Sequence, residues 1–316
     1  MYKGERMKIS YLGTTTLLFD DGTDQILFDC HVTRPSVKKC LFGKLSTDAE
    51  IADHVISEFD IDRLRGIFVS HSHHDHVLDV PYFAKRCYAD VFGSPSALNV
   101  ARGGGIAEEQ LHSFCDSLYY QVGAFGVTVI PSLHSAPHWF NNDIGKTIDQ
   151  PLMQPAGMKA FREGGSHDFL VTHGNESVLI RPSCNYIEGQ QNEIKADVLF
   201  LGITELSKKP EKWRERFFVE TIGKVQPKVV IPIHWDNFFS PLYSGIKVIP
   251  KPFDYTVENL RVLSERCNDL GVRCIIQKPL TSLSVSADGG FDFTIHKVYS
   301  KNRATGLFKI CDTNQR

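Results

Sequence analysis

The chain has 316 residues, of which 42% are hydrophobic and 23% are charged, and its formal net charge is −2 at pH 7. These values are typical of a globular protein with a sizeable core, and without a long basic run they make nucleic acid an unlikely partner. No apolar run approaches the ~20 residues that cross a bilayer, and the N-terminus lacks a signal-type stretch, so we expect a cytoplasmic protein without a transmembrane segment.

The first third of the chain alternates between strand and helix patterns. Residues 7–30 are apolar and β-branched on both sides of a polar DDGTDQ turn, which predicts paired strands. Residues 48–58 have helical spacing, and the short apolar run 66–70 predicts a buried strand. Helices are predicted over 80–89 and over 94–105, the second with a serine cap and a glycine stop.

The rest of the chain repeats this alternation. A strand is predicted over 125–133, followed by a long polar loop over 139–166, and loops of that length are often functional. The remaining predicted strands and helices are strands 167–173, 176–182, 196–202, 227–233, 273–277 and 291–298, and helices 207–223 and 255–268. This order predicts two packed sheets with helices outside, in one domain over 7–300, with a polar tail over 301–316.

The motif His71-Ser72-His73-His74-Asp75-His76 carries the strongest chemical signal. It follows directly on a predicted buried strand, where a rigid element can aim functional side chains. In an extended segment His71 and His73 point the same way and can bind one cation. Asp75 and His76 follow as the chain turns and can bind a second. Imidazole and carboxylate ligands together suit zinc, manganese or iron.

Two further predicted strands end in histidine, at His134 and at His234. His134 is expected to complete a three-histidine site with His71 and His73, with His138 as the alternative. His234 is expected to join Asp75 and His76. Asp29 ends an early strand and is either a partner that orients a ligand histidine or an ordinary buried polar residue.

Residues 7–300 resemble the metallo-β-lactamase superfamily. The opening KISYLGTTTLLFDDGTDQILFDC is similar to the first hairpin of that family, and HSHHDH matches its HxHxDH signature. The resemblance is greatest to the branch of ascorbate-6-phosphate lactonase and N-acyl-phosphatidylethanolamine phospholipase D. It implies an α/β (α+β) fold of four layers, an αββα sandwich, with metals at one edge of the two sheets.

One position departs from the family pattern. The aspartate that usually bridges the metals falls in the turn RPSCN, where Ser183 stands near the expected position and Cys184 follows it. A serine hydroxyl is a weak ligand, whereas a Cys184 thiolate would be a strong one. Asp197 and Glu205 are the other substitutes for the bridging aspartate.

These observations predict a metal-dependent hydrolase with one or two ions, zinc first and manganese or iron as alternatives. It would cleave an ester, lactone, amide or phosphodiester bond of a small or amphipathic molecule, with Asp75 as the catalytic residue that orients the attacking hydroxide. The alternatives are a mononuclear iron oxidoreductase resembling sulfur dioxygenases and a non-catalytic metal-binding protein. A homo-oligomer is expected only by analogy with the family.

Overall fold

The structure is a computed structural model that describes residues 7–115, 117–137, 142–285 and 294–297. The described strands form two mixed sheets, one of eight strands and one of seven. The predicted tail 301–316 and the alternative ligand His138 lie outside the described residues.

The first sheet has the strand order β15-β14-β1-β2-β3-β4-β5-β6. Its strands are β1 Met7–Gly13, β2 Thr16–Asp20, β3 Gln25–Phe28, β4 Leu64–Phe68, β5 Asp90–Gly93, β6 Leu111–Ser113, β14 Thr281–Val285 and β15 Thr294–Lys297. The strands from β3 to β6 pair in parallel, while β1, β2, β3, β14 and β15 pair antiparallel to one another.

The second sheet has the strand order β13-β12-β11-β10-β9-β8-β7. Its strands are β7 Tyr119–Val122, β8 Phe125–Ser132, β9 Ser166–His173, β10 Glu176–Arg181, β11 Val198–Gly202, β12 Val229–Ile233 and β13 Arg273–Cys274. Strands β10 to β13 are parallel, and β7 to β10 form an antiparallel meander. Both sheets therefore present a row of parallel strand ends, which is where α/β proteins place their sites.

The helices connect the parallel strands. They are α1 Val37–Phe42, α2 Ala49–Glu58, α3 His74–Val77, α4 Val80–Cys87, α5 Pro95–Gly103, α6 Glu211–Phe218 and α7 Thr256–Asp269. The Asp48 carboxylate caps α2 by accepting from the amides of Glu50 and Ile51, and the Ser94 hydroxyl caps α5 by accepting from the Ala97 amide. A side-chain acceptor at this position satisfies an amide that has no partner within the helix.

Two apolar clusters fill the spaces between the layers of the fold. In β2 and β3, the side chains of Leu17, Phe19 and Phe28 face a cluster shared with the second sheet. Leu18 and Leu27, which alternate with them, face a cluster shared with helices α2, α4 and α5. Because strand side chains alternate between faces, the first sheet is buried on both sides. The sandwich of two mixed sheets flanked by helices confirms the predicted α/β fold.

The main differences from the sequence-based expectations concern short elements. The periodicity did not indicate α1, β5, β6, β7 or β14, each of eight residues or fewer. The predicted strand 273–277 contracts to two residues, because only Arg273 and Cys274 pair with β12. The predicted long loop is confirmed over 142–165, where a single 3₁₀ turn is the one regular element. Within the described ranges, no helix is both long and apolar enough to cross a membrane.

Candidate metal centre

The three histidine-bearing strand ends of the sequence meet at one edge of the sandwich. Strand β4 ends just before the segment 71–76, in which α3 begins at His74. Strand β8 ends two residues before His134, and β12 ends directly before His234. His234 has a left-handed φ of 58°, and its amide donates to the Thr14 carbonyl over 2.6 Å, which holds it at the turn.

Six side chains form two groups, each with potential ligand atoms within 4.8 Å of one another. The triple-histidine group consists of His71, His73 and His134, and the aspartate group consists of Asp75, His76 and His234. The groups adjoin, since the rings of His71 and His76 have centroids 3.8 Å apart. The structure thus brings together all six side chains that the sequence singles out as ligands.

Ring nitrogens of the triple-histidine group are oriented by neighbouring oxygens. The Ser70 hydroxyl donates to Asp29 (2.8 Å) and lies 3.1 Å from His71 Nδ1, so it accepts the proton of that nitrogen. His134 Nδ1 donates to the Ser135 carbonyl over 2.9 Å. Both rings therefore keep Nε2 unprotonated. His71 Nε2 is buried without a hydrogen-bond partner, which leaves its lone pair available to a cation.

Asp29 orients the histidine of the aspartate group. Its Oδ2 accepts from His76 Nδ1 over 2.7 Å and from the Thr15 hydroxyl over 2.7 Å. The Ser70 amide donates to the other oxygen over 2.7 Å. A carboxylate bound to the far nitrogen of a histidine fixes its tautomer and ring orientation, and here it leaves His76 Nε2 free. Asp29 is therefore a partner that orients a ligand-type histidine, which is the first of its two interpretations from the sequence.

The Asp75 carboxylate lies among three histidines, of which one precedes it and two follow it in the chain. Its Oδ2 is 3.4 Å from His234 Nε2 and 3.7 Å from His76 Nε2, while Oδ1 is 3.7 Å from His74 Nδ1. Burial would raise the pKa of the Asp75 carboxyl, but the surrounding histidines hold it well below its usual range. Burial likewise disfavours a charged His234, yet the hydrogen bond and charge of Asp75 raise the pKa of this imidazole.

Burial keeps two members of the triple-histidine group, His71 and His134, neutral. It lowers the pKa of His134 to about 3, and the nearby His73 adds to the effect. It also lowers the pKa of His71 well below its usual range, with further contributions from His76 and His134. Neutral imidazoles are the form that binds metal ions.

The turn RPSCN, where the bridging aspartate of the family is expected, supplies no ligand-type side chain to either group. Ser183 and Cys184 are buried, and neither belongs to either group. Cys184 packs in the apolar cluster between the sheets, and burial raises the pKa of its thiol to about 12. The turn instead supports His134, because the side-chain Nδ2 of Asn185 donates to the His134 carbonyl over 2.7 Å and the backbone amide of Cys184 donates to Ser135 Oγ over 3.2 Å.

The other two substitutes for the bridging aspartate also lie apart from the groups. Asp197 accepts a hydrogen bond from Ser177 and pairs with Lys228. It lies before the first residue of β11, whereas His234 lies beyond the last residue of the parallel strand β12, at the other edge of the sheet. Glu205 pairs with Lys208 over 3.2 Å. In the part of the chain that the structure describes, Asp75 is the one carboxylate within the two groups.

One acidic contact of the site could not be predicted from a sequence pattern. Asp143, from the long loop, has carboxylate oxygens 3.1 and 3.3 Å from His73 Nε2. Burial would raise the pKa of Asp143, but the hydrogen bond and charge of His73, together with the Glu163 amide, outweigh this and lower it. Only the length and polarity of the loop marked the region as functional.

Aromatic side chains flank the aspartate group. The ring of Phe238 lies 5.3 Å from that of His234 and 6.5 Å from that of His31. Phe239 lies 6.5 Å from His74 and 4.3 Å from Phe238. Both phenylalanines are only partly buried, and Phe239 also packs against the apolar cluster that the first sheet shares with the helices.

An αββα sandwich with these side chains at the sheet edge defines a metallo-β-lactamase-fold protein with a candidate site for divalent cations. A family model described as the beta-lactamase superfamily domain matches residues 25–235. The chain belongs to this family.

Solved structures agree on the fold. A metallo hydrolase from the archaeon Ignicoccus hospitalis, Igni18, is 14% identical with a TM-score of 0.56, over 88% of this chain and 98% of that one. The metallo-beta-lactamase fold protein YhfI from Bacillus subtilis is 13% identical with a TM-score of 0.55, over 89% and 99%. CmlA from Streptomyces venezuelae, a diiron β-hydroxylase, is 13% identical with a TM-score of 0.55, over 90% of this chain and 55% of that one.

Proposed function

We propose that this protein is a metal-dependent hydrolase that binds one divalent cation in each group and cleaves an ester, lactone, amide or phosphodiester bond. The observation that carries the proposal is the pair of adjoining groups, each with three ligand-type side chains whose candidate ligand atoms lie within 4.8 Å. A buried cluster of five histidines and one carboxylate is costly unless its polar atoms find partners, and cations are the partners that this donor set suits.

The residues fit the cations on chemical grounds. In the triple-histidine group burial keeps His71 and His134 neutral, and His71 Nε2 has no other partner. In the aspartate group Asp29 accepts from His76 Nδ1, which leaves Nε2 of that ring for a cation. Asp75 is ionised and supplies the one negative charge among the six side chains. Nitrogen-rich sites of this kind favour zinc, while the carboxylate makes manganese or iron acceptable in the aspartate group.

When bound, such cations lower the pKa of a water toward ~7 and polarise the substrate oxygen. The chain's own part is to hold and orient. Asp75 directs Oδ2 toward His76 and His234 and Oδ1 toward His74, which belongs to neither group. Oδ1 is therefore the oxygen that would hold the attacking water and take its proton. The buried network of Asp29, Ser70 and Thr15 keeps His76 in one orientation during turnover.

A small or amphipathic substrate is favoured by the surroundings of the site. Phe238 and Phe239 give the approach an apolar wall beside His234 and His74. The chain's net charge of −2 gives no general attraction for a polyanion. Within the proposal, the apolar part of the substrate rests on the two phenylalanines while the scissile bond lies over the two groups.

The direct test joins metal content with turnover. Elemental mass spectrometry is expected to find close to two zinc or manganese ions per chain, and a panel of lactones, esters and phosphodiesters is expected to reveal hydrolysis. His71→Ala should abolish turnover. His112→Ala is the matched control, because His112 pairs with Asp90 on the surface outside both groups. Full metal content with no hydrolysis across the panel would favour a non-catalytic metal-binding protein and contradict the proposal.

A second candidate function is an iron-dependent oxidation. The aspartate group contains two histidines and one carboxylate, a donor set that non-haem iron oxygenases use. The similarity in fold to the diiron hydroxylase CmlA is in keeping with this candidate. Iron in the purified protein, with oxygen consumed in step with a persulfide substrate, would support oxidation over hydrolysis.

A further inference from the structure

The contact between Asp143 and His73 is the feature that the metal-binding proposal leaves unused. Both Asp143 oxygens face His73 Nε2, at 3.1 and 3.3 Å. The His73 side chain is 10% exposed and that of Asp143 is 21% exposed, so the pair lies at the rim of the site and is largely shielded from solvent. Asp143 does not belong to either group of ligand-type side chains, which indicates a role behind His73.

A buried carboxylate fixes the loop that carries Asp143. Glu163 is 4% exposed. It accepts from the Gly145 amide over 3.1 Å, the Gly165 amide over 3.0 Å and the Ser166 hydroxyl over 2.7 Å. The Glu163 amide in turn donates to Asp143 Oδ2 over 3.2 Å. Asp143 is therefore held by the loop's own hydrogen bonds, independently of His73.

The same loop is joined to the histidine motif. The Ser72 amide donates to the Glu163 carbonyl over 2.9 Å, and the Ser72 hydroxyl donates to the Arg162 carbonyl over 2.5 Å. Gly164 has a left-handed φ of 69°, and a side chain there would collide with Ser72. Because Ser72 stands between His71 and His73, these contacts set the distance from the loop to the motif.

We propose that Asp143 is a positioning residue, which accepts the Nε2 proton of His73 and thereby assigns Nδ1 of His73 to the cation. The inference rests on the proposed metal-binding function. His71, His76 and His134 each use Nδ1 for an oxygen partner and leave Nε2 free. Within the triple-histidine group His73 alone shows the opposite arrangement, because its Nε2 is the nitrogen that contacts an oxygen. His234 Nε2 also faces a carboxylate, but that of Asp75, a member of its own group. The Asp143 loop thus completes the triple-histidine group, although it supplies no ligand to it.

The first test reads the tautomer in the wild-type chain. Long-range proton–nitrogen NMR spectra of the zinc-loaded, ¹⁵N-histidine-labelled protein distinguish a protonated Nε2 from a protonated Nδ1, and His73→Ala identifies the His73 signals. We expect a protonated Nε2 and a zinc-shifted Nδ1 on His73, and the reverse pattern on His71 and His134. A His73 ring protonated on Nδ1 would overturn the inference.

The second test measures affinity by competition with a chromophoric zinc chelator. In Asp143→Ala, one equivalent of zinc should bind about 10–100-fold more weakly, as for other partners of ligand histidines, and the second should change by less than about threefold. Asp143→Asn, which keeps an acceptor but loses the charge, should fall between this variant and the wild type. Asp149→Asn, an exposed acceptor for Thr147 on the same loop, is the control and should leave both equivalents unchanged.

The outcomes separate this inference from the proposal on which it rests. A wild-type chain that binds no zinc would contradict the proposed function. Zinc binding by the wild type with equal affinity in Asp143→Ala would leave the function standing and overturn the role of Asp143. The NMR test uses the unaltered chain, so it stays decisive if a loop variant is destabilised.

Discussion

The triple-histidine group and the aspartate group adjoin at one sheet edge, yet the protein holds them in different ways. The triple-histidine group contains no carboxylate, and its members are oriented by Ser70, the Ser135 carbonyl and the Asp143 loop. The aspartate group includes an ionised ligand and is braced by the fully buried Asp29. The first depends largely on loop contacts and reaches Asp29 only through Ser70, whereas the second is held by Asp29 directly. We therefore expect the two cation sites to differ in affinity and to respond to different substitutions.

The largest expected effect follows from removing the one carboxylate. Asp75→Ala should lower cation affinity in the aspartate group by more than the ~100-fold upper range for outer partners, because a ligand itself is lost. Turnover should fall below detection, while the triple-histidine group keeps its equivalent. Metal analysis after gel filtration measures this. Unchanged turnover would break the assignment of Asp75 as catalytic.

The second-largest effect on cation affinity is expected from changing Asp29, which orients His76 in the aspartate group. Asp29→Asn keeps the size of the side chain but replaces a charged acceptor of the His76 proton with a neutral one. We expect about 10–100-fold weaker binding in the aspartate group. The change in the triple-histidine group should be smaller, because Asp29 reaches His71 only through the Ser70 hydroxyl. Calorimetric zinc titration distinguishes the two equivalents. An equal loss of zinc affinity in both groups would contradict the assignment of Asp29 to the aspartate group.

Acid should destabilise the metal-free protein. Burial lowers the pKa of His31 and His134 to about 3 and of His74 to about 4, against 6.5 when exposed. The unfolded chain then binds more protons below pH 6.5, so the free energy of unfolding should fall by about 1.4 kcal/mol per pH unit for each such histidine as the pH drops from 6.5 toward 4. His234, whose pKa is raised, contributes stability that is already fully present below pH 6.5, so it does not change this slope.

Thermal unfolding of chelator-treated protein between pH 7 and pH 5 provides the measurement. Zinc should raise the midpoint at pH 7 and have less effect at pH 5, where protons compete for the ligands. A midpoint that stays constant across this range would mean that the histidines are not held neutral by the fold.

The smallest expected effect concerns the turn at the missing bridging aspartate. Asn185→Ala removes the hydrogen bond to the His134 carbonyl, which is worth about 1 kcal/mol, so stability should fall by that order. Zinc affinity in the triple-histidine group should weaken by less than in Asp143→Ala. Cys184→Ser is the matched comparison, since its backbone contact to Ser135 is retained. Weakened binding in the aspartate group instead would contradict the assignment of this turn to His134.

The ligand-type residues could be predicted from the sequence because each is marked locally. An apolar run that ends in histidine identifies a strand and its carboxyl end together, as at His134 and His234. Asp29 was also placed by this reasoning, since it ends an early strand beside the motif. The order of strands and helices was enough to predict two sheets with helices outside.

Asp143 and Asn185 could not be found in that way. Asp143 lies 70 residues from His73, and Asn185 lies 51 residues from His134, in segments without periodicity. Their positions follow from buried hydrogen bonds such as those of Glu163, which leave no pattern in the sequence. The short helix α1 was missed for a related reason, because six residues are too few to show an amphipathic period.

The most direct measurement is the zinc content of two matched variants, His134→Ala and His234→Ala, beside the wild type. Within the described residues the two groups share no ligand. The account therefore predicts about two equivalents in the wild type and about one in each variant, with the remaining equivalent differing in affinity between them. Loss of both equivalents in either variant, or of neither, would contradict two separate sites.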